Sequence, residues 1–185
     1  MPHSSILRPN STALAVIDHQ DGFRKILPDF DSIAASISRA VQGFNLLGLP
    51  VIVTEQYPKG LGHTAREILD VLSEGTPVVE KTAFSSCGAS SFTDHLKMAA
   101  ADTVVLCGIE THICVNQTAH DLLEKGFKVH LLIDAVGSRF EINRKAGLKK
   151  MFSSGVIPCS VEMALFELMR DSRHEKFREV QAIIK

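Results

Sequence analysis

The sequence predicts a three-layer α/β/α fold with a six-stranded, mainly parallel sheet, and two regularities carry this prediction. Short, nearly continuous apolar runs alternate with segments whose apolar residues recur at helical spacing. Strands that are apolar on both faces are typical of parallel sheets that helices cover on both sides. A length of 185 residues suits one core, so we expect a single domain over residues 1–185.

Six apolar runs have the length and the β-branched composition of buried strands. The first, TALAVIDH, extends from Thr12 to His19. Helical segments separate neighbouring runs, so right-handed crossovers are expected. The later runs are PVIVTEQ (50–56), TPVVEKT (76–82), DTVVLCGI (102–109), KVHLLIDAV (128–136) and VIPCS (156–160).

The segments between these runs predict helices, and some have recognisable ends. Ser90 or Ser91 is a candidate N-cap, because serine side chains accept hydrogen bonds from free helical N–H groups. Gly126 is the expected stop of the helix that follows the fourth strand, because glycine tolerates left-handed backbone. The predicted spans are 31–47, 63–75, 90–101, 111–126, 143–153, 161–170 and 174–184.

Charge and cysteine content exclude several classes of function. The chain has 20 basic and 21 acidic residues and no basic stripe, so we expect no nucleic-acid and no membrane partner. The opening stretch MPHSSILRPNSTA has no apolar signal core, which favours a cytoplasmic location. The four cysteines form no C-x-x-C pair and no cysteine/histidine ladder, so the spacing predicts neither a zinc site nor a disulfide framework.

Three reactive residue types follow different strands at the edge where open parallel sheets bind ligands. Asp18 ends the first predicted strand, Lys81 ends the third, and Cys114 comes shortly after the fourth. With Thr111 as the N-cap, Cys114 would be the third residue of a helix, where the positive helix end stabilises a thiolate. Asp18 would act as a general base and Lys81 as the cation that positions it.

Each of these residues also has a structural alternative. A buried cysteine is often a small hydrophobe, an aspartate after a strand often serves a turn, and a lysine there is often solvated. Other kinds of site lack their motifs, since the sequence has no G-x-G-x-x-G, no P-loop and no G-x-S-x-G. His112, two residues before Cys114, would point elsewhere on a helix and does not suit a Cys–His dyad.

Three motifs together resemble the isochorismatase-like cysteine hydrolase superfamily, and the subgroup of isochorismatase domain-containing hydrolases in particular. They are AVIDHQ, which holds Asp18, EKTAFSS, which holds Lys81, and GIETHICV, which holds Cys114. The stretch VTEQYPKGLGHT is similar to the subgroup, and the resemblance runs from about Thr12 to Val161. It implies a Rossmann-like, isochorismatase-like hydrolase fold.

The resemblance also implies roles for individual residues. Asp18, Lys81 and Cys114 match the catalytic triad, and a cis peptide bond is implied at Ile109–Glu110. The backbone N–H groups of Glu110 and Cys114 would form the oxyanion hole. The residues implied to bind substrate or line its pocket are Phe23, Tyr57, Phe84 and Thr111.

One departure from the family pattern bears on cofactors. Nicotinamidases carry an Asp-x-His motif and a further histidine as a metal site after the second strand, whereas the matching stretch here reads TEQYP. His63 alone does not rebuild that site, so we expect no metal and no cofactor. Family members that cleave vinyl ethers need no thiol, so the retained Cys114 favours covalent chemistry.

The sequence therefore predicts a metal-independent cysteine hydrolase of a small amide or related C–N bond, acting through a thioester on a small-molecule substrate. Two alternatives remain open from the sequence. One is a non-catalytic or moonlighting oligomeric binding protein of the same fold, and the other is a vinyl-ether hydrolase of the isochorismate type. Apolar residues on the late helices favour assembly into a homo-oligomer, a dimer or larger.

Overall fold

The computed structural model describes residue 3 and residues 5–185, and a parallel sheet of six strands forms its centre. Every strand pairing in this sheet is parallel, so the predicted fold class is confirmed. The strand order is β3-β2-β1-β4-β5-β6. The strands are β1 Thr12–Ile17, β2 Val51–Gln56, β3 Val78–Lys81, β4 Thr103–Ile109, β5 Lys128–Gly137 and β6 Ile157–Cys159.

Helices cover both faces of the sheet. They are α1 Phe30–Leu46, α2 Pro58–Leu61, α3 Arg66–Leu69, α4 Ser90–Met98, α5 Asn116–Glu124, α6 Glu141–Ser153, α7 Val161–Met169 and α8 Phe177–Ile184. Buried side chains of α1, α3, α7 and α8 form one core cluster with the sheet, and those of α4, α5 and α6 form the other. None of the helices in the described part of the chain is long and apolar enough to cross a membrane.

Strand β1 explains why the apolar runs in the sequence are nearly continuous. Leu14 and Val16 belong to one core cluster, while Ala13, Ala15 and Ile17 belong to the other. All of them are fully buried. Successive side chains of a strand point to opposite faces, so a strand between two helical layers needs apolar residues at every position.

The predicted helix over 63–75 is mostly wrong, because only Arg66–Leu69 is helical. Thr64 forms an isolated antiparallel bridge with Gln20, and its N–H group and hydroxyl both donate to Oε1 of Glu55. These bonds hold the chain extended up to Ala65, whose N–H donates to the His19 carbonyl. The helix can begin only after them.

Two other boundaries differ from the sequence-based expectation. Helix α4 begins at Ser90 after Ala89, and no side chain caps it, so neither Ser90 nor Ser91 is the predicted N-cap. Strand β5 continues to Gly137, one residue beyond the predicted 136, because pairing with β4 resumes after a register shift opposite Leu106 and Gly108. Within this strand, the Asp134 carboxylate accepts hydrogen bonds from the Val161 N–H group at the start of α7.

Candidate active site

The strand order reverses direction between β1 and β4, and this is where open α/β sheets place their ligand crevice. The chain leaves the carboxyl end of β1 at Asp18 and the carboxyl end of β4 at Glu110. Lys81, the last residue of β3, reaches the same place across β2. The edge that the sequence indicated is therefore the edge where these side chains meet.

Asp18 is held by its neighbours on both the backbone and the side chain. Its φ angle is +48°, a left-handed conformation that is uncommon outside glycine. Its N–H group donates to the Thr54 carbonyl at 3.2 Å, and its Oδ1 accepts the Thr54 hydroxyl at 2.7 Å. This arrangement leaves Oδ2 facing Lys81.

Lys81 places its ammonium group among four oxygen acceptors. Nζ lies 2.6 Å from Asp18 Oδ2 and 2.8 Å from Gln56 Oε1. It also donates to the carbonyls of Ala83 at 3.1 Å and Phe84 at 3.0 Å. The Lys81 side chain is only 1% exposed, so its ammonium group bonds to protein atoms and is shielded from water. Lys81 is thus built to fix and neutralise the Asp18 carboxylate rather than to contact a ligand.

Cys114 lies in a π-helical turn, Thr111–Val115, that precedes α5. The residue before this turn is Glu110, so the expectation of Thr111 as N-cap with Cys114 third in an α-helix is wrong. Burial first, and then the negative charge of Asp18, raise the pKa of the Cys114 thiol to about 12, with Lys81 acting in the opposite direction. This shift favours the protonated thiol, so nucleophilic attack by the sulfur would require a base to remove its proton.

The thiol opens onto a cavity of about 290 Å³. Asp18 and Cys114 share its wall with two of the expected substrate-binding residues, Phe23 and Phe84. The other residues that line it are Ile26, Gln56, Leu61, Ile109, Glu110, Ile113 and Arg139. The lining of the cavity is thus mostly apolar, and its charged or amide side chains are Asp18, Gln56, Glu110 and Arg139.

Two residues expected at the substrate do not line this cavity. Tyr57 has a left-handed φ of +39° and instead lines a neighbouring cavity with Pro58 and Lys59. Thr111 is fully buried, and its hydroxyl donates to the Gly137 carbonyl at 3.0 Å. Tyr57 therefore does not line the cavity that contains the Cys114 thiol. The Thr111 hydroxyl is used in a hydrogen bond within the protein.

Glu110 and Arg139 form a pair at the cavity that sequence reasoning missed. Arg139 donates from its backbone N–H at 2.9 Å to Glu110 Oε1, and from Nε to both carboxylate oxygens. The Glu110 side chain is 3% exposed, whereas that of Arg139 is 41% exposed. Arg139 follows the last residue of β5 by two positions, so the rule that selected the ends of the other strands could also have indicated it.

The backbone before Cys114 has two special features. The Ile109–Glu110 peptide bond is cis, at the position that the resemblance implies. Gly108 has a φ of +114°, and a Cβ atom there would lie 2.0 Å from the Ile17 carbonyl oxygen. Only glycine lets β4 approach β1 so closely just before the candidate nucleophile.

The stretch TEQYP, where nicotinamidases carry metal ligands, makes structural contacts here. Besides Thr64, Glu55 binds His63 Nδ1 at 3.0 Å through Oε2. His63 is largely exposed, and its hydrogen bond with Glu55 raises the pKa of its imidazole. Gln56 takes part in holding Lys81.

All four cysteines are free thiols. Burial raises the pKa of Cys87 to about 11 and that of Cys159 to about 12, and it raises the pKa of Cys107 further still. None of these three lines the cavity that contains Cys114. His112 contacts the Ser138 hydroxyl at 3.0 Å through Nδ1 and is absent from the cavity lining.

Comparison with known proteins agrees with this architecture. The Isochorismatase domain model matches residues 12–163, which is most of the chain. The chain belongs to the isochorismatase family. The family resemblance that the three motifs indicated is thereby confirmed.

The family relatives cover nearly all of this chain. Isochorismatase domain-containing protein 1 of Salmo salar is 40% identical over 179 residues, which are 97% of this chain and 62% of the salmon protein. This chain therefore spans less than two thirds of that relative. Isochorismatase domain-containing protein 2 of Danio rerio is 36% identical over 178 residues, which are 96% of this chain and 89% of the zebrafish protein.

A solved structure from Caenorhabditis elegans, named MAR1 ribonuclease, is also similar to this isochorismatase-family chain. It superposes with a TM-score of 0.93 at 41% identity, covering 97% of this chain and 92% of the worm protein. The shared fold extends over the sheet and both helical layers.

Proposed function

We propose that this chain is a metal-independent cysteine hydrolase that cleaves a small amide or a related C–N bond. The observation that carries the proposal is the Asp18 carboxylate, which is bound to the Lys81 ammonium and shares a cavity wall with the Cys114 thiol. A carboxylate base, a cation that positions it and a protonated thiol are the parts that nucleophilic catalysis by cysteine requires.

The first half of the proposed reaction forms a thioester. Asp18 removes the thiol proton as the Cys114 sulfur attacks the carbonyl carbon, which gives a tetrahedral oxyanion. When the C–N bond breaks, the protonated Asp18 returns its proton to the nitrogen, and an amine or ammonia leaves. Lys81 remains bound to Asp18 throughout and limits the cost of its changing charge.

The second half releases the acid. Asp18 takes a proton from a water molecule, whose oxygen attacks the thioester carbon. The second tetrahedral intermediate collapses, the C–S bond breaks, and the sulfur recovers its proton from Asp18. The balance is one amide and one water converted into one carboxylic acid and one amine, with the enzyme unchanged.

The oxyanion in both halves needs hydrogen-bond donors. We propose the backbone N–H groups of Glu110, which precedes the π-helical turn, and Cys114, which lies within it; both residues line the cavity. The hydrogen bonds from Arg139 to the Glu110 carboxylate would fix this turn. A lost oxyanion donor typically costs about 10²–10³ in rate.

The cavity favours a small substrate with an apolar acyl group. Its volume of about 290 Å³ is near the lower end for small-molecule sites. Phe23, Ile26 and Phe84 offer apolar contact opposite Asp18, and the exposed part of Arg139 can meet a polar substituent. Acyl groups that extend beyond these side chains should react slowly.

RNA belongs in the substrate tests because the worm relative is named a ribonuclease. The formal net charge of this chain is −1, and Glu110 already engages the guanidinium of Arg139 at the cavity. Phosphate backbones are bound mainly by clustered cations. These features favour a small molecule over RNA for this site.

The test is turnover of an amide, nitrile, ester and RNA panel, with intact-mass detection of adducts. We expect one amide class to be hydrolysed, Cys114→Ala and Asp18→Asn to lose activity, and an acyl adduct of Cys114 to accumulate in wild type. Cys87→Ala is the matched cysteine control and should retain full turnover. Full activity in Cys114→Ala would instead favour vinyl-ether hydrolysis, and binding without turnover or adduct would favour a binding protein.

Assembly, domain organisation and location remain predictions. We propose that residues 1–185 fold as one domain and self-associate as a dimer or larger homo-oligomer in the cytoplasm. Light scattering after size-exclusion chromatography should give a mass at least twice that of one chain, 20.2 kDa. A monomeric mass at micromolar concentration would contradict the assembly.

A further inference from the structure

A second cluster of reactive side chains lies away from the candidate active site. It consists of His130 on β5, Cys159 on β6 and Glu167 on α7, hereafter the HCE cluster. One potential ligand atom from each residue lies within 4.8 Å of the other two. His130 pairs with Ile157, and Cys159 pairs with Leu132, so His130 and Cys159 are diagonal neighbours on one face of the sheet.

The HCE cluster lies away from the Cys114 thiol, in a different core cluster. Cys159 and its strand neighbour Leu132 belong to the core cluster of α1, α7 and α8, whereas Cys114 belongs to the core cluster of α4, α5 and α6. No member of the HCE cluster lines the cavity of Cys114. The proposed hydrolysis therefore makes no use of these side chains.

His130 has an unmet bonding requirement inside this core. It is 1% exposed, and its Nδ1 atom has no hydrogen-bond partner among the residues that the structure describes. A buried polar atom without a partner costs about 1–3 kcal/mol, so such atoms are rare unless something binds them. An imidazole nitrogen beside a thiol and a carboxylate is a ready metal ligand.

The other two side chains are already partly oriented. Glu167 Oε2 accepts the Leu7 N–H group at 3.0 Å, which fixes the carboxylate as outer contacts do in metal sites. Cys159 donates only a weak hydrogen bond, 3.4 Å long, to the Ser160 carbonyl. The thiol can therefore exchange that contact for a metal bond at little cost.

We propose that His130, Cys159 and Glu167 bind one Zn²⁺ ion through an imidazole nitrogen, a thiolate sulfur and a carboxylate oxygen. These are the three ligand types that zinc takes in proteins, at about 2.0–2.3 Å. In a tetrahedral site such ligand atoms lie about 3.5 Å apart, so from separations of up to 4.8 Å the side chains close in by at most about 1.3 Å on binding. Cys159 loses its proton to solvent as the Zn–S bond forms.

Charge balance supports a divalent cation in this buried place. A thiolate and a carboxylate together carry the two negative charges that neutralise Zn²⁺, while a neutral imidazole adds none. Lys128 acts electrostatically on His130, and Asp134 acts with the opposite sign on Cys159. The ion would join β5, edge strand β6 and helix α7, the three elements that carry its ligands.

The test uses the full chain, stripped with a chelator and titrated with zinc sulfate. Zinc binding is measured by calorimetry and elemental analysis in a Cys114→Ala background, so that the active-site thiol cannot contribute. We expect one zinc per chain, proton release, and an upward shift in the thermal midpoint. Cys159→Ser and the near-isosteric Glu167→Gln should each weaken binding by at least about 100-fold, while Cys107→Ser, another buried cysteine, retains it.

Cobalt(II) supplies an independent readout, because thiolate–cobalt charge transfer absorbs in the near ultraviolet. The band should appear in the Cys114→Ala background and be missing when Cys159→Ser is added. The absence of stoichiometric zinc would overturn the proposal. Binding that survives both Cys159→Ser and Glu167→Gln would do the same, even where one of these variants folds poorly, because the other still decides.

Discussion

Lys81 Nζ lies 2.6 Å from Asp18 Oδ2, and both side chains are almost completely removed from water. The two charges have lost their hydration, and the bond between them is what makes their burial tolerable. Each residue therefore depends on the other for stability, and in the proposed reaction Asp18 also depends on Lys81 for its position. Substitutions in this pair can separate its contribution to stability from its proposed contribution to catalysis.

Replacing Lys81 with Met should destabilise the protein by about 3–5 kcal/mol, because it leaves the Asp18 carboxylate buried without its cation. Urea unfolding measures this loss. Lys97→Met is the matched control, since Lys97 pairs with Asp94 on the exposed surface and should contribute less than about 1 kcal/mol. Equal unfolding midpoints for the two variants would contradict the prediction.

Alkylation of Cys114 should be slow at neutral pH and accelerate about tenfold per pH unit between about pH 8 and pH 10. The reason is that burial and the charge of Asp18 raise the pKa of the thiol to about 12, so the thiolate is scarce until the solution is strongly alkaline. Iodoacetamide labelling followed by mass spectrometry gives the rate. Cys87, measured in Cys114→Ala, reports the background.

Asp18→Asn should affect labelling and turnover in opposite directions. Removing the carboxylate charge lowers the pKa of Cys114, so alkylation speeds up at fixed pH, whereas amide turnover falls because the general base is gone. Parallel rates on the same preparation test this. Slower alkylation in Asp18→Asn would show that the carboxylate activates the thiol even toward a small electrophile, against this expectation.

Gly108→Ala should cost more than about 4 kcal/mol and abolish turnover, because the new Cβ would collide with the Ile17 carbonyl oxygen and force β1 and β4 apart. Gly126→Ala isolates the backbone contribution. Gly126 also has a positive φ, +85°, but its added Cβ meets open space, so about 1–2 kcal/mol is expected there. Thermal unfolding of both variants should differ clearly, and equal losses would rule out the collision.

Arg139→Gln should lower kcat by up to about 10²-fold, because the Glu110 turn loses the guanidinium that orients it. The remaining backbone N–H bond of residue 139 should preserve folding. Steady-state kinetics measures kcat and KM separately, and Arg66→Gln, which alters an exposed ion pair with Asp70, is the control. A kcat for Arg139→Gln as high as that of Arg66→Gln would remove Arg139 from the site.

The parallel sheet could be predicted because its central strands β1 and β4 are continuously apolar. β1 and β4 are buried on both faces, and no polar residue interrupts their apolar runs. The rule that ligands bind at the carboxyl edge then selected Asp18, Lys81 and Cys114 without structural information. The residues that come together in space are those that end or follow regular strands.

The remaining features of the site depend on irregular backbone conformations, which local sequence patterns do not indicate. A register shift lets β5 pair with β4 as far as Gly137, which brings Arg139 to the cavity. The π-helical turn displaced Thr111 from the role of cap, and a left-handed φ moved Tyr57 out of the cavity. Each of these depends on contacts with distant segments that spacing alone cannot encode.

The residues of the cavity wall fall into two groups: those of the proposed proton transfer and those that set the shape of the cavity. Asp18 and its lysine partner are fixed by strands, whereas Phe23, Ile26 and Phe84 come from the connections that follow β1 and β3. Trimming one of these apolar side chains enlarges the cavity and leaves the acid–base machinery intact. Engineered acceptance of bulkier substrates should therefore begin at these loops, where diversification among paralogues is also least costly to the fold.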